Sequence, residues 1–142
     1  MPGKASGGGD MTLDAVMPSE TYALIWQAVR SRRRIAFVYN DRPRECCPLI
    51  LGYAKDGREA VSAYQVAGET SGGKTLPEWR CFRLEGMRDV RTTSGDWREG
   101  GSHKQAQMCV QFVDVDANIP ETLTRDAPLA FGDPDLQPPR RG

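Results

Sequence analysis

Apolar positions along this chain follow two different periods, and the change falls near residue 34. In the stretch PSETYALIWQAVRSRRR, Tyr22, Ile25, Trp26 and Val29 recur at i, i+3, i+4 and i+7, which places them on one stripe of a helix. Ser19 stands where a hydroxyl caps the first turn, Glu20 lies in that turn, and the last turn is basic, as the helix dipole favours. The pattern predicts a single amphipathic helix of about three turns. From Arg34 the period becomes two: Ile35, Phe37 and Tyr39 share a face, so 34–39 reads as a strand closed by the turn residues of NDRPRE.

Further short strands follow. CCPLILGYA reads as a second, with Pro48 marking a strand start or a sheet edge. The Asp-Gly turn in KDGRE leads to a third, AVSAYQVAG, and the loop GETSGGKTLPE to a fourth, WRCFRLEGMRDV, bent near Gly86. MCVQFVDVDANI supplies a fifth. The expected fold is therefore mainly β with one N-terminal helix: a small antiparallel barrel of about five strands that the helix plugs at one end. Residues 1–17 read as a flexible leader, 18–116 as the barrel domain, and 117–142 as a disordered Pro/Asp-rich tail with a docking segment around Leu129 to Phe131.

Composition narrows the function classes. At 142 residues the length suits one domain, no apolar run is long enough for a membrane span, and MPGKASGGGD lacks the apolar core of a secretory signal. These features predict a cytoplasmic protein without a membrane partner. The four cysteines, Cys46, Cys47, Cys81 and Cys109, form no C-x-x-C pair, and a vicinal pair on a strand points to opposite faces. With one histidine, His103, in a Gly-rich loop, the expectation is reduced thiols, no metal and no cofactor. Neither G-x-S-x-G nor H-E-x-x-H occurs, and no nucleophile–base spacing links Asp56, Asp96 and His103, so no catalytic residue is assigned.

Charge changes the picture more. The net charge is zero, yet Pro18–Arg98 holds fourteen Lys and Arg against ten Asp and Glu, while the tail is acidic. Arginines concentrate in the run Arg30, Arg32, Arg33, Arg34 and in the segment EWRCFRLEGMRDV. A guanidinium grips phosphate with two parallel hydrogen bonds, and a tyrosine ring offers a stacking plane for a base. Strict alternation sets Arg80 with Phe82 and Leu84 on one face and Cys81 with Arg83 on the other, so both arginines reach one ligand only if the strand is bulged.

The order ALIWQAVRSRRR, IAFVYN, RPRECCPLIL, AVSAYQV and EWRCFRLEGMRDV resembles the WYL domain of bacterial regulators over about residues 21–92. The resemblance rests on the strand ending in Tyr39, on Arg44-x-x-x-Pro48, and on Arg80-x-Phe-Arg-Leu followed by Arg88 to Val90. It departs at the family's Trp-Tyr-Leu tripeptide, which is Ala63-Tyr64-Gln65 here. The resemblance implies an Sm-like or SH3-like barrel that senses single-stranded nucleic acid or a nucleotide-like ligand, with Tyr64, Arg80, Arg83 and Arg44 as the ligand-binding residues. It also implies a DNA-reading unit, for which the residues before the helix leave no room, so any role in transcription is expected to run through a regulator protein partner or through competition for a ligand. The alternative is a protein-interaction module that works through its sheet edge or acidic tail.

Overall fold

The computed structural model describes residues 17–70, 75–98 and 109–138. Helix α1 (Glu20–Ser31) begins at Ser19, whose hydroxyl accepts the Tyr22 N–H, and ends at Arg32 in a left-handed conformation. Tyr22, Ile25, Trp26 and Val29 are all buried, as the stripe requires.

The strands are β1 (Ile35–Tyr39), β2 (Arg42–Tyr53), β3 (Glu59–Gly68), β4 (Glu78–Arg83), β5 (Met87–Thr92) and β6 (Phe112–Asp116). All pairings are antiparallel, in the order β4-β3-β2-β1-β5, with β6 added to β2. Six strands replace the expected five, because the fourth predicted strand breaks at a 3-10 turn, Leu84–Gly86, into β4 and β5. Leu84 buries itself in that turn, and a side chain at Gly86 would meet the Tyr39 ring at 2.9 Å. The two outer strands, β4 and β5, are not paired to each other, so the sheet is open and the expected closed barrel is corrected to a six-stranded antiparallel sheet.

Local chemistry explains the turns and bends. Asn40 and Asp41 both have positive φ, the conformation of a two-residue hairpin loop, so only these two residues separate the end of β1 from the start of β2. Strand β2 then serves two partners along one stretch: Arg42 to Cys46 pair with β1, and Ile50 to Tyr53 with β6. Pro48 sits in the gap between them, at a register shift against β3, where a missing N–H costs no ladder bond.

The core joins α1 to the inner sheet face through Ile25, Val29, Ile35, Phe37, Leu49, Leu51, Val61 and Phe82. The tail departs from the expected disorder, because residues 119–138 pack on the body. Pro120–Thr124 form a 3-10 turn, the Tyr53 hydroxyl donates to the Leu129 carbonyl at 2.6 Å, and Phe131 packs on Tyr53 and Phe112. Gln137 forms a bridge with Val113. The Phe131 ring thereby covers part of Tyr53 and of Phe112. Leader residues 1–16, residues 139–142 and His103 lie outside the described residues.

Candidate ligand-binding site

Strand register divides the four sequence-predicted residues between two faces. Arg44 lies opposite Phe37 and, although charged, is only 2% exposed. Its Nη2 donates to the Tyr39 carbonyl at 3.1 Å, and its guanidinium lies 5.5 Å from the ring centres of both Tyr39 and Phe82. Those rings meet edge-on at 4.9 Å, as do Phe37 and Phe82, so the cation rests on a fixed aromatic cluster. Burial holds the Arg44 pKa below the ordinary guanidinium value, and the charge of Arg80 lowers it further.

Arg80 shares the strand parity of Phe82, whose ring carries the Arg44 guanidinium, and lies opposite Ala63 of β3 with Glu78 at 3.5 Å. Both arginines also draw down the Cys46 thiol, which burial pushes well above its ordinary value. On the same parity, Gln65 is fully buried and lies opposite Cys46 and Glu78. Its Nε2 donates to the Ala67 and Glu69 carbonyls, while its Oε1 accepts no hydrogen bond among the described residues. A buried acceptor left in this state costs about 1–3 kcal/mol.

Arg83 sits on the opposite face, as alternation requires: Phe82 is buried while Cys81 and Arg83 are exposed. Its Nη1 lies 3.2 Å from the Asp56 carboxylate, and Arg58 joins the group through Glu85 at 2.8 Å and Asp56 at 3.6 Å. The Arg58 backbone N–H and the Arg83 charge hold the Asp56 carboxyl below its ordinary range. Arg83 is thus brought together with Asp56, and not with Arg44 and Arg80.

Tyr64 is half-buried opposite Trp79, with ring centres 5.4 Å apart, and Arg98 lies 5.9 Å over the Tyr64 ring. Beneath them the buried Cys47 sulfur accepts the Arg98 backbone N–H at 3.3 Å. Arg34 donates to the Asp96 carbonyl and pairs with Glu45 at 3.1 Å, fixing the 93–98 segment over this face.

Two arginines of the basic run at the end of α1 bond back to the chain. Arg30 lies 4.5 Å over the Trp26 ring and donates to the Leu123 carbonyl, and Arg32 donates to the Ala117 carbonyl. These bonds satisfy carbonyls around the 3-10 turn of the tail, a task that sequence patterning does not reveal because the partners lie more than eighty residues away.

Two features escaped the sequence reading. Cys81 and Cys109 form a disulfide across a separation of 28 residues, which corrects the expectation of four reduced thiols; Cys46 and Cys47 remain free and buried. The spacing carried no signal, since the cysteines meet only once β4 and the approach to β6 are placed. The second is Asp114, a fully buried carboxylate that accepts from the Tyr22 hydroxyl at 2.8 Å and the Leu129 N–H at 2.9 Å. No described helix is long and apolar enough to cross a membrane. No family model matches the chain, and no match was found among curated proteins or solved structures.

Proposed function

We propose that this chain is a non-enzymatic ligand-sensing module, and that it binds a nucleotide-like anion or single-stranded nucleic acid beside Arg44 and Arg80. The observation that carries the reading is two arginines on one sheet face: Arg44, 2% exposed and 5.5 Å from the ring centres of Tyr39 and Phe82, and Arg80, on the same strand parity as Phe82, whose charge adds to burial in lowering the Arg44 pKa. An anion entering beside Arg80 relieves that repulsion, and the aromatic cluster under Arg44 keeps the cation in place while it waits. Gln65 adds an acceptor for a donor group on the same ligand. Tyr64 and Trp79, with Arg98 above, lie on the opposite face of the sheet, so a base stacked on their rings would be a separate contact and not part of this site.

Wiring supports the same class. The sheet runs β5-β1-β2-β3-β4, and its two outer strands are consecutive in the chain, joined only by a 3-10 turn. That arrangement fits an Sm-like or SH3-like barrel opened at one seam, in line with the WYL resemblance of residues 21–92.

The test is a titration of fluorescent single- and double-stranded oligonucleotides, followed by anisotropy at two salt concentrations. Saturable binding that prefers single strands and weakens with salt is expected. Arg80→Ala should weaken it about tenfold or more, the scale of a charged hydrogen bond, and Arg83→Ala only marginally, since Asp56 already holds that side chain. Absence of binding at tens of micromolar overturns the reading.

A second reading has its own observation. Met17 is 78% exposed and Phe131 40% exposed, and both line a groove of about 550 Å³ with Tyr53, Leu84 and Met87. An apolar opening of this kind suits a protein partner, such as a regulator, and pull-down with immobilised protein compared against Phe131→Asp tests it.

A further inference from the structure

We propose that the Cys81–Cys109 disulfide is a redox-reversible clasp, which a dithiol reductant opens without unfolding the sheet. The bond sits at the surface. Cys81 is exposed on the outer face of β4, which pairs on one side only, and both cysteines line a groove of about 420 Å³ together with Tyr39, Lys55, Phe82 and Arg83. A small thiol can therefore reach sulfur in the native state, which is the first requirement for exchange.

Each end of the clasp is held by contacts of its own. On one side, β4 pairs with β3 from Gln65↔Glu78 to Ala60↔Arg83, and Phe82 is buried beneath it. On the other, Val110 and Val113 are buried, Gln111 donates to the Tyr53 carbonyl at 2.9 Å, and β6 pairs with β2. Breaking the S–S bond removes the link between these two units and leaves the ladders of each intact. By contrast, Cys46 and Cys47 are buried in β2, and burial pushes both thiols up, so neither competes for a reagent while the sheet is folded.

The exchange balances as a two-electron reduction. One thiolate of the dithiol attacks Cys81 or Cys109, forming a mixed disulfide as the other cysteine leaves as a thiolate. The reductant's second thiol then closes its own ring disulfide and releases the first cysteine, so that, after protonation, two protein thiols appear and one dithiol is oxidised. The groove also borders Tyr39 and Phe82, the rings that carry the Arg44 guanidinium.

The experiment is intact-mass and peptide mapping of the full chain after iodoacetamide, with and without prior dithiothreitol, in buffer without denaturant. The expected result is no alkylation before reduction and two alkyl groups afterwards, on Cys81 and Cys109 only, with the circular dichroism spectrum retained. Alkylation of all four cysteines makes the bond a staple of the whole fold and overturns the proposal. Labels on Cys81 and Cys109 before reduction, or none after it, overturn it as well. Cys81→Ser separates the arms further: it should fold, keep Cys46 and Cys47 unlabelled, and show one reactive thiol at Cys109.

Discussion

Asp114 concentrates the energetics of single residues. Its carboxylate ties α1 through Tyr22, β6 through its own strand, and the tail through Leu129 and Arg125, whose Nη1 also donates to the Asp114 carbonyl at 2.6 Å. Burial holds the Asp114 carboxyl above its ordinary 3.8. The folded state thus binds this proton more tightly than the unfolded chain does. The contribution favouring folding is complete below about 3.8 and is lost as pH rises through the raised value. Asp114→Asn should therefore gain on the wild type as pH rises above about 4, the difference in Tm growing until the raised value is passed; a difference that stays flat overturns the assignment. Tyr22→Phe removes the hydroxyl and leaves a buried acceptor short of a donor, which should cost about 1–3 kcal/mol in urea denaturation.

Among the elements, β2 has the most demanding task, because β3 covers one edge while β1 and β6 share the other. Such close approach sets the residue at Gly52: a Cβ there would collide with the Phe112 carbonyl oxygen and lie 3.0 Å from a Val110 methyl. Gly52→Ala should cost about 1–3 kcal/mol, the usual scale for overpacking, and the loss should appear first as faster amide exchange in Phe112–Asp116, with β1 and β5 spared. Equal acceleration through all strands would show that β6 is not separable. The split of the fourth predicted strand belongs to this scale too. Alternation through Arg80, Phe82 and Leu84 was legible, but the 3-10 turn that sends β5 to the far edge depends on where Leu84 and Gly86 meet the body.

For the whole molecule, the tail decides most. An acidic tail after a basic core suggests a mask over an anion site, and truncation would then tighten binding at low salt. Its described contacts instead run to Tyr53, Phe112, Val113 and Asp114, and to Arg30 and Arg32 at the end of α1. Removal of residues 118–142 should consequently lower Tm by about 5 °C or more and broaden the transition, because it uncovers rings and strips the partners of a buried carboxylate. An unchanged Tm would return the tail to the role of a detachable appendage.

By itself the sequence determined the helix, the alternation of the strands and the opposite facing of Arg80 and Arg83, since these follow from periods of 3.6 and 2 within one segment. It also marked Asp-Gly and Asn-Asp as turns, because φ preference is a property of the residue. What only the tertiary structure decided are pairings between distant segments: Arg44 buried on Tyr39 and Phe82, Arg83 committed to Asp56, Cys81 bonded to Cys109, and the tail on Asp114. Each depends on which strands become neighbours, and that choice is made by the burial of the whole core, a sum over contacts that no local pattern carries.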